Sequence, residues 1–222
     1  MDTTRLTEIA SLIADSTRAE MLLALMDGQP KCASELAVSA NVSTSTASHH
    51  LSALVKGGVV DVVQVGRHRY HRLAGYQVAD LIEILGNLAQ GLGRVSKKEL
   101  LTPCRSCYDH LAGRVGVAVR VGLEDRGFLV LENDRFLVTP AGGEFFGSFG
   151  LDMGSLRAGK RPLTKACIDW TERVPHLGGA LGAALLGKLF ERGWLERGGL
   201  PRQVVVTPVG KECLASVFGA MI

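Results

Sequence analysis

Val42-Ser-Thr-Ser-Thr-Ala-Ser-His-His-Leu-Ser-Ala-Leu54 is the stretch whose reading decides the fold. Small hydroxyl residues run into two histidines, and Ala47, Leu51 and Leu54 recur at helical spacing. A serine at the head of such a run caps a helix by accepting from backbone N–H groups two or three residues on. With the apolar residues turned inward, the outer face carries Thr44, Ser45, Ser48 and His49. Short donors and acceptors of this kind let a helix lie close to base edges in a DNA major groove. Adjacent helical residues diverge by about 100°. His49 is therefore expected to face DNA, and His50 the protein core or a phosphate.

Upstream, Leu6, Ile9, Ala10 and Ile13 share one face of a helix. Asp15-Ser-Thr-Arg18 caps a second, in which Met21, Leu22 and Leu25 recur until Asp27-Gly28. Gln29-Pro30 turns the chain, Ala33 to Ser39 forms a short helix, and Asn41 supplies a tight turn before the hydroxyl-rich helix. Two helices joined by a short turn, the second polar on one face, form a helix-turn-helix. Downstream, Gly57-Gly58 closes that second helix. Val59 to Val65 reads as a strand, Gly66-Arg67 turns it, and His68 to Leu73 returns. The hairpin is a wing with Arg67 at its tip and Arg69 behind. With Lys56, these cations suit phosphates or a narrow minor groove. Between Leu36 and Gly75 the cations Lys56, Arg67, Arg69 and Arg72 and four histidines stand against one acid, Asp61. The whole-chain charge of +3 does not itself announce nucleic acid.

Ala14-Asp-Ser-Thr-Arg18, Met21-Leu22, Ser43-Thr-Ser-Thr-Ala-Ser-His-His-Leu51 and the Val-rich wing ending Arg67-His-Arg-Tyr-His-Arg-Leu73 together resemble the ArsR/SmtB family of winged-helix repressors. The resemblance covers about residues 5 to 95. It implies a homodimer that binds a double-stranded DNA operator and is released by an inducer. Val78, Leu81, Ile82, Leu85, Leu88, Ala89 and Leu92 form an apolar stripe from Tyr76 to Leu92. The stripe is expected to pair with its copy in a second subunit, since one winged helix reads too few bases for useful specificity. Packing against the chain's own C-terminal half is the alternative. The resemblance also implies metal sensing, yet both familiar ligand sets are incomplete. The helix before the recognition helix offers only Cys32, and Asp80 and Glu83 lie on a dimer helix without histidine.

At 222 residues, 46% apolar and 21% charged, the chain reads as globular, with domains at 1–95 and 96–222. Gly91 to Pro103 reads as a hinge. No signal peptide is visible, and no apolar run reaches the roughly 20 residues of a membrane span. A cytoplasmic, non-membrane protein is expected, with its five cysteines reduced.

Beyond the hinge the chain repeats itself. Cys107-Tyr-Asp-His110 answers to Cys167-Ile-Asp169 with His176, displaced by an insertion at Thr171 to Pro175. Arg126-Gly-Phe-Leu129 answers to Arg192-Gly-Trp-Leu195, and Val138-Thr-Pro-Ala-Gly142 to Val206-Thr-Pro-Val-Gly210. The copies run over about 104–150 and 163–222. Each reads as a small-residue helix, a hairpin and a helix opened by Thr-Pro. Glycines and alanines such as Gly116 and Gly182 suggest that the two helices face each other closely. Neither copy carries a polar, basic helix, which argues for sensing rather than DNA binding.

Cys104, Cys107, Asp109 and His110, with Cys167, Asp169 and His176, are the candidate metal or redox residues. Thiolate, imidazole and carboxylate suit a transition metal such as zinc. Cys104 and Cys107 at three-residue spacing can share a helical turn. At a helix start such a pair is acidic and oxidisable. A purely structural role for these residues is the alternative, as is an organic ligand beside Tyr108, Phe128, Trp170 and Trp194. The resulting expectation is a mainly α chain with small β-hairpins. A winged helix-turn-helix is followed by two winged-helix-like repeats, making a dimeric, non-enzymatic transcriptional regulator that answers to a metal, redox or small-molecule signal. The alternatives are a constitutive DNA binder with a structural C-terminal half and a thiol-disulfide protein using Cys104 and Cys107.

Overall fold

Caps written into the sequence set out the N-terminal elements of the computed structural model, which describes residues 2–91, 103–133, 135–169, 171–200 and 202–220. Asp2 accepts from Thr4 and Arg5 to begin α1 (Thr3–Ile13). Asp15 accepts from the Arg18 N–H at 2.9 Å to begin α2 (Ser16–Ala24), which runs into a 3-10 turn, Leu25–Asp27. The short strand β1 (Lys31–Cys32) leads into α3 (Ala33–Ser39). Asn41 takes a left-handed conformation, φ 52°, and Ser43 then caps α4 (Thr44–Lys56) through the Thr46 N–H. Strands β2 (Val60–Val65) and β3 (His68–Leu73) form the wing, with β1 on the outer side of β3. Helix α5 (Tyr76–Gly91) follows. Met21, Leu22, Leu25, Leu36, Leu51 and Leu54 are buried beneath these elements.

The Asp15 cap carries a pH signature. Its carboxyl is held below the ordinary value, first by the Arg18 N–H and then, against a small burial effect, by the charges of Arg18 and His50. Asp15→Ala is expected to cost about 1 kcal/mol at neutral pH. The folded pKa is the lower one, so this contribution is complete above about pH 4 and fades as pH falls through the folded value. In urea unfolding, the gap between wild type and Asp15→Ala should close on acidification; a gap constant into strong acid would contradict it.

The described chain divides into two units, Met1–Leu88 and Ala89–Ile222. The second unit opens with the hairpin β4 (Arg105–Cys107) and β5 (His110–Ala112), followed by α6 (Gly113–Asp125). The hairpin β6 (Leu129–Glu132) and β7 (Arg135–Val138) and the helix α7 (Pro140–Ser148) come next. After the short helix α8 (Met153–Ala158) the order recurs. The hairpin β8 (Lys165–Ile168) and β9 (Pro175–Gly178) leads into α9 (Gly179–Glu191). The hairpin β10 (Leu195–Arg197) and β11 (Val204–Val206) then leads into α10 (Pro208–Phe218). The segment of Cys104 and Cys107, expected to share a helical turn, thus leads into and forms the first arm of a hairpin. Of the hinge expected over 91–103, all but the end residues lie outside the described residues.

The two stretches share one core, in which Leu123, Phe136, Phe146, Leu189, Leu214 and Phe218 are buried. They pack crosswise: α9 lies on β5, α6 lies on β9, and β5 runs beside β9. The glycines expected to bring two helices together instead bring helix against strand. A Cβ on Gly116 would stand 2.6 Å from the Leu111 carbonyl oxygen, and one on Gly182 would stand 2.3 Å from that of Leu177. The Thr-Pro helix starts are also alike. Thr139 donates to the Gly127 carbonyl at 2.7 Å and accepts from the Gly142 N–H at 3.0 Å. Thr207 donates to Gly193 at 2.8 Å and accepts from Gly210 at 2.9 Å.

Candidate nucleic-acid interface and metal centre

The two halves of α4 face different surroundings. Ala47, Leu51 and Leu54 are buried, while Thr44, Ser45, Ser48 and His49 are exposed. The Ser48 hydroxyl donates back to the Thr44 carbonyl at 2.9 Å, so its lone pairs point outward as acceptors. Lys56, Arg67 and Arg69 are exposed at the end of α4 and along the wing. A cleft of about 440 Å³ between helix and wing is lined by Ser48, Ser52, Lys56, Arg69 and His71 among others. His50 turns away, with Nδ1 3.5 Å from the Asp15 carboxylate. On α5, Ala79 and Ile82 are buried, Val78 and Leu81 are half-buried, and Leu85 and Leu88 are exposed.

In the C-terminal unit the register of each hairpin sets a cysteine opposite a histidine. Cys107 pairs with His110, and Cys167 pairs with His176. Because β5 lies beside β9, the two pairs meet. One donor atom from each of Cys107, His110, Cys167 and His176 lies within 4.8 Å of all the others, and all four residues are buried. The two Sγ atoms are 3.7 Å apart and the two imidazole rings 5.1 Å apart. This is the one group of three or more Cys, His, Asp or Glu able to converge on an ion among the described residues.

Three residues of the expected set stand elsewhere. Cys107 ends the strand β4, whereas Cys104 lies in the bend just before it, so the two do not share a helical turn. Cys104 enters the large core and Cys107 the small cluster with Cys167. Burial pushes the Cys104 thiol up to about 12, against the pull of Arg105. It therefore lacks the acidity expected of a thiol at a helix start.

Asp109 and Asp169 stand behind the histidines. Asp109 Oδ1 is 3.3 Å from His110 Nδ1, and its carboxylate accepts from both terminal guanidinium nitrogens of Arg161. Asp169 Oδ2 is 3.4 Å from His176 Nδ1. It also accepts from Arg105, from Thr171 and Glu172, and at 2.6 Å from Gly113, the first residue of α6. Burial alone would raise the Asp169 carboxyl; His176, Arg105 and the Gly113 N–H outweigh it and hold the group far below the carboxylate range. Burial likewise opposes a charge on His176, but Asp169 and Cys167 overcome it and raise its pKa. Sequence reasoning missed the part played by Arg161 and by Arg105. Neither falls in the repeated motif, so nothing local pointed to them.

Phe128 stacks on Phe145 and Trp194 is buried in the core, so these aromatics pack rather than line an open ligand site. Trp170 lies outside the described residues. Among the described residues, no helix is long and apolar enough to cross a membrane.

A family model described as bacterial regulatory protein, arsR family, matches residues 15–62. The HTH-type transcriptional regulator YdfF of Bacillus subtilis (strain 168) is 40% identical over 209 residues, which cover 92% of each chain. The cadmium resistance transcriptional regulatory protein CadC of Listeria innocua is 29% identical over 83 residues, 37% of this chain and 70% of that one. A solved homodimeric winged helix-turn-helix DNA-binding domain, Mb0332 of Mycobacterium bovis, is 25% identical. It covers 41% of this chain and 83% of its own, with a TM-score of 0.38.

Proposed function

Since the chain belongs to the arsR family of bacterial regulatory proteins, we propose that it acts as a dimeric repressor whose C-terminal unit receives the signal. The observation that carries this reading is the division of labour on α4. One face is locked into the core by Ala47, Leu51 and Leu54, and the other presents Thr44, Ser45, Ser48 and His49. In this reading those side chains touch base edges, while Lys56, Arg67 and Arg69 hold phosphates or the minor groove.

Exposed apolar residues support dimerisation. Helix α1 buries none of its residues and leaves Leu6 54% exposed, and α5 leaves Ile84 and Leu88 each 61% exposed. A second copy covering these faces would set two recognition helices on half-sites about 34 Å apart. The C-terminal unit, read as two winged-helix-like repeats spanning about 104–150 and 163–222, has no exposed basic helix face of the α4 kind in its sequence and is assigned to sensing. CadC's name supports a metal signal. A signal that couples to DNA by about 1–3 kcal/mol would loosen the operator roughly 5- to 150-fold.

The test is footprinting on genomic fragments selected by the full chain. The expected result is a pseudo-palindromic footprint with half-site centres about one helical turn apart. A single unpaired half-site would refute the dimer, and binding indifferent to sequence would refute the regulator.

A further inference from the structure

We infer that Cys107, His110, Cys167 and His176 form a closed, four-coordinate site for a zinc-class divalent ion, each repeat supplying one Cys–His pair. This deepens the reading above, from which it takes only that the C-terminal unit receives the signal.

The donor set is two sulfurs and two imidazole nitrogens, a combination that zinc and its neighbours accept in tetrahedral geometry. The spacing agrees. With Zn–S bonds of about 2.3 Å, two thiolates at the corners of a tetrahedron stand about 3.8 Å apart. The two Sγ atoms stand 3.7 Å apart. A disulfide would need about 2.05 Å.

The His176 ring leans on Asp169 and on the Cys167 sulfur. His176 is 1% exposed, and its Nε2 is buried with no normal hydrogen bond among the described residues. A buried polar nitrogen left in this state is costly, and an ion at the centre of the cluster would satisfy it. The carboxylates complete the argument. Asp109 and Asp169 each sit at the Nδ1 edge of one histidine. A carboxylate at Nδ1 fixes the tautomer and turns the other ring nitrogen toward a metal. Asp169 is in turn anchored by Arg105 and the Gly113 N–H.

Space is kept for the His110 ring by two glycines of the opposite repeat. A Cβ on Gly178 would lie 3.2 Å from His110 Nε2, and one on Gly182 would lie 3.2 Å from His110 Cβ. Gly178 has φ −104°, a conformation open to any residue, so it is the room rather than the backbone that glycine supplies. All four ligands are protein side chains and all are buried, which leaves no corner for water or substrate. The ion therefore ties β5 to β9, and with them the two repeats. Binding releases the thiol protons to solvent as the thiolates take up the metal.

Reduced, chelator-stripped full-length protein should be titrated with Co(II). Saturation is expected at one equivalent per chain, with the intense visible bands of tetrahedral Co(II), thiolate charge-transfer absorption and bleaching by Zn(II). Cys107→Ser and Cys167→Ser should each lose charge-transfer intensity and bind at least about 100-fold more weakly. Cys104→Ser should leave the spectrum unchanged. Where a serine variant does not fold, the wild type suffices: Zn(II) should protect Cys107 and Cys167 from alkylation, and a chelator should release them. A pale octahedral spectrum, no saturation, or undiminished binding in the two ligand variants overturns the site. Operator affinity measured on the same samples separates the two claims. Tetrahedral binding with affinity indifferent to the ion upholds the site and removes the metal as signal. An affinity that responds to the ion without tetrahedral Co(II) removes this site and leaves the signal.

Discussion

Operator binding is expected to fall at least about 30-fold when Ser48 and His49 are both replaced by alanine, at about 1 kcal/mol or more for each lost base contact. Both residues are exposed on α4, and alanine is the better helix former, so the helix should not suffer. No permanent charge is removed. Binding to unrelated DNA and the slope of affinity against salt should therefore stay as they were. Arg67→Ala should behave oppositely, weakening all sequences alike and lowering the salt slope by about 1. The Ser48 hydroxyl already gives its proton to the Thr44 carbonyl. What it offers a base is an acceptor, so the contacted position should favour cytosine N4 or adenine N6 donors. Fluorescence anisotropy with operator and scrambled duplexes reads all of this; an unchanged operator affinity in the double variant would remove α4 from the interface.

The second large effect is on stability. Gly210→Ala is expected to destabilise the C-terminal unit by about 3 kcal/mol. Two effects compete at this helical position. Alanine gains up to about 1 kcal/mol over glycine in propensity. Against that, the new Cβ would stand 1.9 Å from the Trp194 carbonyl oxygen, a backbone atom with no rotamer to change. The same Trp194 carbonyl accepts from the Thr207 N–H at 3.1 Å, so moving it also breaks the junction that seats α10. Overpacking wins. Gly187 on α9 is the control, because a Cβ there meets nothing within 4 Å. Gly187→Ala should be neutral or stabilising by up to about 1 kcal/mol. Thermal unfolding should come clearly earlier in Gly210→Ala and no earlier than wild type in Gly187→Ala; equal melting temperatures would show that the α10 junction yields freely.

The N-terminal half was legible because its instructions are local. Asp15 and Ser43 cap at the positions the sequence suggests, and Ala47, Leu51 and Leu54 fall on the buried face. The wing turns at Gly66-Arg67 between paired Val65 and His68. In the C-terminal half the repeated motif matched Cys107 and His110 to Cys167 and His176, which the structure brings together, but Cys104 and Cys107 were expected to share a helical turn. The turn between β4 and β5 is made by Tyr108 at φ 57°, a conformation rare outside Gly, Asn and Asp, so the sequence held no cue for it. With Cys104 in the bend before β4 and Cys107 at its end, the two cysteines enter different clusters. The arginines that engage the two carboxylates are distant in sequence: Arg161 lies 52 residues from Asp109, and Arg105 lies 64 from Asp169. Only the crosswise packing of β5 and β9 brings the four donors together, and no local signal encodes it.

Both Cys–His hairpins belong to a single polypeptide. Each half of the donor set therefore meets the other at an effective concentration fixed by the intervening chain, not by the number of molecules in the cell. A cluster shared between subunits would come apart on dilution, and its response threshold would drift with expression level. At the site inferred above, occupancy would follow the concentration of the ion and not the number of chains.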